Sequence, residues 1–208
     1  MKIRKLICGV GINDADYVVQ KWEKIGYVDG KQKRKLIWRC PFYRAWSSML
    51  ERCYSTKYQE RKPTYRGCSV SEAWLTFSVF KNWMETQDWQ DAQLDKDLLF
   101  EGNKVYSADT CVFVSGMVNN FTTDSGATRG DWPIGVYWHK GANKFQSRCR
   151  NPFTKKQENL GRFSCEQEAH QAWVNRKLEL AKELAATQTD PRVAEALINR
   201  YVNYTRNQ

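Results

Sequence analysis

The stretch Pro133–Phe163, which reads PIGVYWHKGANKFQSRCRNPFTKKQENLGRF, decides the fold of the C-terminal part of the chain. It contains pieces of strand length separated by turn-forming residues. The strand pieces are 134–138, 144–150 and 157–163, and the separators are 140–143 and 151–154. Because short separators join antiparallel neighbours, the stretch predicts a three-stranded antiparallel sheet.

The two faces of this sheet differ in chemistry, because successive side chains of a strand point to opposite sides. In the middle piece the alternation separates a largely apolar set from a cationic set: Phe145, Ser147 and Cys149 against Lys144, Gln146, Arg148 and Arg150. The sequence therefore predicts one dry face and one exposed, cationic face.

A helix is expected directly after the sheet. Ser164 and Gln167 have the spacing of a capping box, and the helix that they open has a predicted inward stripe. This stripe consists of Ala169, Trp173, Arg176, Leu180 and Leu184. Asp190-Pro191 then predicts the start of a last helix that ends near Tyr201. The result is a sheet packed on one helix, followed by a C-terminal helix.

The preceding block, residues 40–121, has helical periodicity and short extended pieces. Apolar residues at three- and four-residue spacing predict a helix over 42–54, and a second helix is expected from Ser71 to Met84. Pieces 104–106 and 111–115 are predicted to form a hairpin. The chain is therefore assigned to the α+β class.

Five segments are predicted along the chain, because composition and periodicity change between them. They are a basic N-terminal segment 1–39, a helix and hairpin domain 40–121, a polar linker 122–132, a sheet and helix domain 133–186, and a C-terminal helix 187–208.

Composition and charge narrow the class of protein. The 208 residues hold 41% apolar residues, and no apolar run is long enough to span a bilayer. The apolar run Leu6–Gly11 is too short for a secretory signal, and seven scattered cysteines are not a disulfide framework, so we expect a cytoplasmic protein. The net charge of +10 attracts polyanions, and nucleic acid is the leading partner class.

Two charged stretches each allow two interpretations. The run Lys31–Lys35 indicates a mobile basic arm, either tracking phosphates or serving as a solvated loop. Between Glu85 and Glu101, six acidic residues accompany one lysine. That cluster favours either a divalent-metal site or an exposed loop.

The cationic face of the predicted sheet carries the strongest functional signal. Between Ile134 and Phe163 there are seven Lys and Arg residues and a single acid, Glu158. A strand ribbon fits the major groove of B-form DNA, where arginine can bond guanine at two points and Gln or Asn can read adenine. The alternative to DNA binding is an exposed, charged sheet edge that prevents aggregation.

The same stretch resembles the apetala-two DNA-binding domain of plant ethylene-response factors, which also occurs fused to phage homing nucleases. The resemblance rests on Gly135–His139, Lys144–Arg150, Asn159-Leu-Gly-Arg-Phe163 and Glu168–Trp173. It implies that the sheet lies in the major groove of DNA. The residues then expected to face DNA are Tyr137, His139, Lys144, Arg148, Arg150, Gln157 and Asn159. Tyr137 and His139 stand where the plant domains usually have arginines.

The N-terminal block is similar to phage HNH endonucleases, which hold one divalent metal in a hairpin and helix. The similarity rests on Trp46–Tyr54, Gly67–Trp74, Leu94–Asp97, Tyr106–Phe113 and Asn119-Asn120. It implies that Asp95 binds Mg²⁺ or Mn²⁺ together with Asn119 or Asn120. The expected catalytic positions are Asp95, Lys96 and Asn119. Lys96 stands where the family has its general-base histidine, and Thr110 stands where a metal-binding asparagine is usual.

Four cysteines of the same block, Cys40, Cys53, Cys68 and Cys111, have two possible roles. Four thiolates can form a closed structural Zn²⁺ site. Buried, unreactive thiols are the alternative, and the spacing lacks the CxxC pair typical of zinc knuckles.

Together these features predict a DNA-binding protein of phage homing-endonuclease type that binds double-stranded DNA through its C-terminal sheet. Residual metal-dependent strand cleavage is part of this hypothesis. The alternative is a catalytically inactive phage regulator, or an inhibitor that acts on host nucleic-acid enzymes. In either case we expect it in the cytoplasm of a phage-infected host, without contact to a membrane.

Overall fold

The computed structural model describes residues 6–123 and 131–206, and the chain forms two compact units. The first comprises Met1–Asp97 and Gly102–Phe113, and the second comprises Leu98–Glu101 and Val114–Gln208. Residues 6–39, the described part of the predicted basic segment, thus belong to the same unit as residues 40–97. Of the predicted linker 122–132, residues 124–130 lie outside the described residues.

The first unit contains a hairpin where a mobile arm was predicted. Strand β1 (Gln20–Val28) pairs with the antiparallel strand β2 (Lys31–Arg39), and Lys31–Lys35 lies in β2. The turn between them is Asp29-Gly30, with φ values of 52° and 71°. Such left-handed residues form the tight turns of two-residue hairpins. The interpretation of Lys31–Lys35 as a mobile arm is therefore wrong.

Helix α1 (Pro41–Tyr54) confirms the predicted helix over 42–54. Pro41 lies in its first turn, where a missing N–H costs no hydrogen bond. The apolar side chains on its inner face, Trp46, Met49 and Leu50, are fully buried. Trp46 Nε1 also donates to the carbonyl of Trp74 at 2.7 Å, so the largest core side chain satisfies its polar atom.

The helix predicted from Ser71 begins later than expected. Helix α2 (Thr56–Arg61) and a short strand β3 (Ser69–Val70) come first, and a 3₁₀ turn then covers Glu72–Leu75. Helix α3 spans Phe77–Glu85. Ser71 precedes the 3₁₀ turn and makes no side-chain cap, so the predicted start of the helix at Ser71 is wrong.

The pieces predicted as a hairpin belong to separate pairings. Strands β4 (Ala92–Asp95), β5 (Val105–Tyr106) and β6 (Val112–Ser115) follow α3. Strand β5 pairs in parallel with β3, so it does not form a hairpin with β6. Strand β5 pairs with β3, which is distant in sequence, and not with the neighbouring β6. Proximity along the sequence alone does not predict such a long-range pairing.

The second unit has the predicted sheet. Helix α4 (Gly116–Thr122) precedes strands β7 (Val136–His139), β8 (Lys144–Arg150) and β9 (Gln157–Phe163), which form an antiparallel sheet in the order β7-β8-β9. Helix α5 (Glu166–Ala185) packs on this sheet, and helix α6 (Pro191–Arg206) packs on α5. The α+β class, the three-stranded sheet, its helix and the C-terminal helix are confirmed.

Two details of α5 differ from the prediction. The helix has Cys165 as its N-cap with no side-chain cap hydrogen bond, so the predicted Ser164 and Gln167 capping box does not form. Ala169, Trp173, Leu180 and Leu184 are buried as expected. In place of Arg176, however, Lys177 is the buried residue of that turn.

Gly135 allows α5 to lie close to the start of β7. Its φ of 82° is a conformation that side chains rarely adopt, and a Cβ there would collide with the indole of Trp173. Glycine is therefore required at this position for both backbone and packing.

None of the helices in residues 6–123 and 131–206 has the length and apolar character that crossing a bilayer requires.

Candidate nucleic-acid interface

The outward face of the β7-β8-β9 sheet brings together all the side chains predicted to face DNA. The strand register pairs His139 with Lys144, Arg148 with Asn159, and Arg150 with Gln157. Tyr137 pairs with Gln146, which in turn pairs with Arg162. We call these nine residues the outward row: Tyr137, His139, Lys144, Gln146, Arg148, Arg150, Gln157, Asn159 and Arg162.

The outward row is accessible, and the opposite face is covered. Tyr137 is 52% exposed, and Arg148 and Arg150 are exposed as well. On the other face Ser147 and Cys149 are buried on the side where the sheet contacts α5. The predicted separation into a dry and a cationic face is therefore present.

Gln146 holds the centre of the row and is 5% exposed. Its Oε1 accepts from Arg148 Nη2 at 2.9 Å, and its Nε2 donates to Asn159 Oδ1 at 3.1 Å. The guanidinium of Arg148 also lies 5.9 Å from the centre of the Tyr137 ring. These contacts fix Arg148 before any ligand binds, and such preorganisation lowers the entropy cost of recognition.

We expect Gln146→Leu to weaken binding of duplex DNA about threefold to tenfold, because Arg148 loses its neutral acceptor and Asn159 loses its donor. No charge is removed, so the dependence of affinity on salt should stay the same. Fluorescence anisotropy of a labelled duplex measures both quantities. Gln171→Leu on α5 is the matched control, and equal affinity of the two variants would contradict the role of Gln146.

Arg162 belongs to the outward row although strict alternation from Gln157 places it on the inner face. A register irregularity between Ser147 and Arg148 leaves one extra residue in β9, and Gly161 has a φ of 128° there. Such a β-bulge reverses the alternation beyond it. The sequence feature that could have predicted this bulge is Gly161, because a glycine inside a strand often marks a bulge.

Arg162 and His139 together present hydrogen-bond donors. His139 Nδ1 accepts the amide proton of Ala142 at 3.1 Å, so the neutral ring carries its proton on Nε2. Arg162 Nη2 lies 3.3 Å from that Nε2. Two adjacent donors suit a shared acceptor, such as a phosphate oxygen or a guanine edge.

The single acid of the sheet is turned away from the outward row. Glu158 accepts from Arg176 Nε on α5 at 2.7 Å and from Asn151 Nδ2 at 2.8 Å. These hydrogen bonds, that from Arg176 first, lower the pKa of the Glu158 carboxyl. Within residues 6–123 and 131–206, no carboxylate forms an ion pair with Arg148, Arg150 or Arg162. The row is therefore an uncompensated cationic surface.

The predicted catalytic lysine is held in internal contacts of the first unit. Lys96 is 7% exposed, and its Nζ donates to Asp97 Oδ2 at 2.9 Å and to the carbonyl of Asn103 at 2.8 Å. An ammonium in an ion pair has no lone pair with which to accept a proton. Lys96 therefore connects the segment at Asp97 to the segment at Asn103.

The other predicted metal and catalytic positions are Asp95, the last residue of β4, and Asn119 in α4. The Asp95 Oδ1 accepts from the amide of Asp97 at 2.9 Å. The Thr110 hydroxyl donates to the Val105 carbonyl at 2.8 Å. Among the described residues, no three His, Cys, Asp or Glu side chains are grouped as a metal site requires.

The four cysteines of the first unit, Cys40, Cys53, Cys68 and Cys111, are free and lie in its apolar core. Burial raises the pKa of Cys53 and that of Cys111 to about 12 each. Zinc binds the thiolate form, which burial disfavours. In the part of the chain that the structure describes, the Zn²⁺ hypothesis gains no geometric support, since no metal-holding group is found.

Comparisons with protein-family models, curated proteins and solved structures find no match to this chain.

Proposed function

We propose that this protein binds double-stranded DNA through the outward row. The observation that carries the proposal is the arrangement itself: three strands present nine polar or aromatic side chains on one face, and the only acid of the sheet is bound on the other. A surface of this composition attracts the phosphate backbone and offers donors and acceptors to base edges.

The dimensions of the sheet support insertion into a major groove. Three strands about 4.8 Å apart make a platform roughly 10 Å wide, and the major groove of B-form DNA is about 12 Å wide. Arg148, fixed by Gln146, is the residue expected to read a guanine edge, and the exposed Tyr137 can pack on a thymine methyl or a sugar. Lys144 and Arg150 at the two ends of β8 are expected to contact phosphates.

A salt titration tests this proposal. Four cations of the row, Lys144, Arg148, Arg150 and Arg162, predict a slope of log affinity against log salt of about −3.6 if each contacts a phosphate. A-form RNA of the same sequence should compete poorly, because side chains cannot enter its deep, narrow major groove. Equal competition by RNA would remove the groove-insertion part of the proposal.

The homing-endonuclease hypothesis would add strand cleavage by Mg²⁺ or Mn²⁺ held by Asp95 and Asn119. The residues present do not fit that reaction, because Lys96 occupies the position of the base as an ion-paired ammonium. The geometry of Lys96 therefore favours the second candidate, a catalytically inactive DNA-binding regulator.

A nicking assay distinguishes the two candidates. We expect the protein to retain supercoiled DNA yet leave it intact in Mg²⁺ or Mn²⁺, since no side chain at the Lys96 position can accept a proton. Gel electrophoresis of the plasmid is the measurement. Metal-dependent nicking that Asp95→Ala and Asn119→Ala abolish, and that the control Asp109→Ala keeps, would restore the nuclease hypothesis.

A further inference from the structure

The second unit contains a cavity of about 730 Å³ beside the outward row. It is bordered by the residues before β7, by the end of β8, by α4 and by the helix α5. Ligand cavities of proteins have volumes of roughly 300–1,000 Å³, so this one is large enough for a small molecule or a single nucleotide.

The lining of this cavity is cationic. It includes four basic side chains, Arg148, Arg150, Lys155 and Lys177, and no carboxylate among the described residues that form it. A lining with basic residues alone favours an anionic ligand.

Lys177 is the decisive residue of this lining. It is 8% exposed, and its Nζ donates to the carbonyl of Phe121 at 2.7 Å and lies 3.5 Å from the centre of the Phe121 ring. In the described chain no carboxylate pairs with it. An ammonium carries three protons, and burial without a counter-ion is costly unless a ligand supplies the negative charge.

Aromatic side chains supply the remaining walls. Trp132, Tyr137 and Trp173 all line the cavity, and Trp132 is 36% exposed. Indole and phenol rings are the usual platforms on which nucleobases stack. Cations that suit a phosphate and rings that suit a base thus occur in the same cavity.

The cavity is continuous with the proposed DNA surface. Four members of the outward row, Tyr137, Arg148, Arg150 and Gln157, also line it. A nucleotide can therefore reach it from a strand lying on the sheet or from solution.

We infer that this cavity binds one nucleotide, with the base against the aromatic walls and the phosphate near the cationic side chains. The nucleotide comes either from DNA held by the outward row, as an extruded unit, or from the pool of free mononucleotides. The first source rests on the proposed function, and the second does not.

Binding of mononucleotides tests the cavity directly. We expect the full chain to bind deoxynucleoside 5′-monophosphates more tightly than the matching nucleosides, with inorganic phosphate as a competitor, in calorimetric titrations. Lys177→Met and Trp132→Ala should each lower this affinity about tenfold to hundredfold, by loss of a charged donor or of a stacking surface. Lys182→Met and Trp38→Ala, which change exposed residues outside the lining, should not alter it.

A duplex containing 2-aminopurine identifies the source, because its fluorescence rises when the base leaves the stack. A rise with the wild type that Trp132→Ala suppresses indicates an extruded nucleotide, whereas mononucleotide binding without a rise indicates the free ligand. The inference is overturned if neither mononucleotide binding nor a fluorescence rise is seen, or if both cavity variants bind mononucleotides as tightly as the wild type. Trp132→Ala changes a partly exposed side chain, so the test stands even if Lys177→Met fails to fold.

The experiments distinguish failure of the proposed nucleotide binding in the cavity from failure of the proposed duplex binding by the outward row. If the wild type binds mononucleotides but does not retain a duplex, the proposed function is wrong and the cavity remains. If it retains a duplex with the expected salt slope but shows neither mononucleotide binding nor fluorescence rise, only the cavity inference is wrong.

Discussion

Replacement of Arg148 and Arg150 by alanine together is expected to lower the affinity for duplex DNA at least about a hundredfold. Both guanidinium groups are exposed on one face of β8 and have no carboxylate partner among the described residues. Each lost phosphate contact reduces the slope of log affinity against log salt by about 0.9, and each lost bidentate base contact costs about 1–3 kcal/mol. Anisotropy titrations at several salt concentrations measure both effects.

The control for this variant removes the same charge elsewhere. Lys182 on α5 and Arg192 on α6 belong to the helices on the other side of the sheet, so Lys182→Ala with Arg192→Ala should leave the slope nearly unchanged. If the two double variants bind duplex equally, the attraction depends on net charge alone. The outward row would then have no special part in binding.

The three strands of the sheet could be predicted because each has turn residues on both sides and an alternating pattern. The position of Arg162 could not, since one extra residue at the bulge changes which face a side chain occupies. The hairpin of β1 and β2 was missed for another reason. Most of its residues are exposed on both faces, so no apolar alternation marks it as a sheet.

The seven predicted DNA-facing residues do share one surface, but the residue that organises them was not among them. In the sequence Gln146 does not differ from other polar strand residues. In the structure it is buried and forms hydrogen bonds with Arg148 and Asn159. Side-chain contacts of this kind depend on cross-strand neighbours, which only the register reveals.

The cavity also could not be predicted from the sequence. The spacing from Trp173 to Leu180 allows either Arg176 or Lys177 on the inner face of α5. The structure places Arg176 at the edge of the sheet, where Glu158 and Glu179 bind it, and Lys177 inside. Because a lysine is expected to be solvated, no sequence rule predicts a buried one at this position.

Substitution of Lys177 by methionine is expected to stabilise the ligand-free protein at neutral pH by about 2 kcal/mol. Burial lowers the pKa of Lys177 from 10.5 to about 8, so keeping its charge costs the folded state about 3 kcal/mol, and loss of its hydrogen bond offsets about 1 kcal/mol. The Phe121 carbonyl stays bonded, because Tyr201 Oη also donates to it at 3.1 Å. Denaturant unfolding at pH 7 measures the change, with the exposed Lys182→Met as control.

The pH dependence separates this charge effect from simple repacking. Between about pH 8 and pH 10.5 folded Lys177 has released its proton while the unfolded chain still holds it, so the stability of the wild type rises with pH in this window relative to the variant. The charged or titratable groups near Lys177 include Cys149 on β8, Arg200 and Tyr201 on α6, and the basic side chains that line the same cavity, Arg148, Arg150 and Lys155. Both proteins contain all of them. Burial raises the pKa of Cys149 to about 11, which keeps its thiol largely neutral there. Two results would contradict this prediction: a variant less stable than the wild type at pH 7, or a stability difference that does not narrow as the pH rises. Either would show that the buried ammonium does not destabilise the folded state. The main reason to expect an anion in the cavity would then disappear.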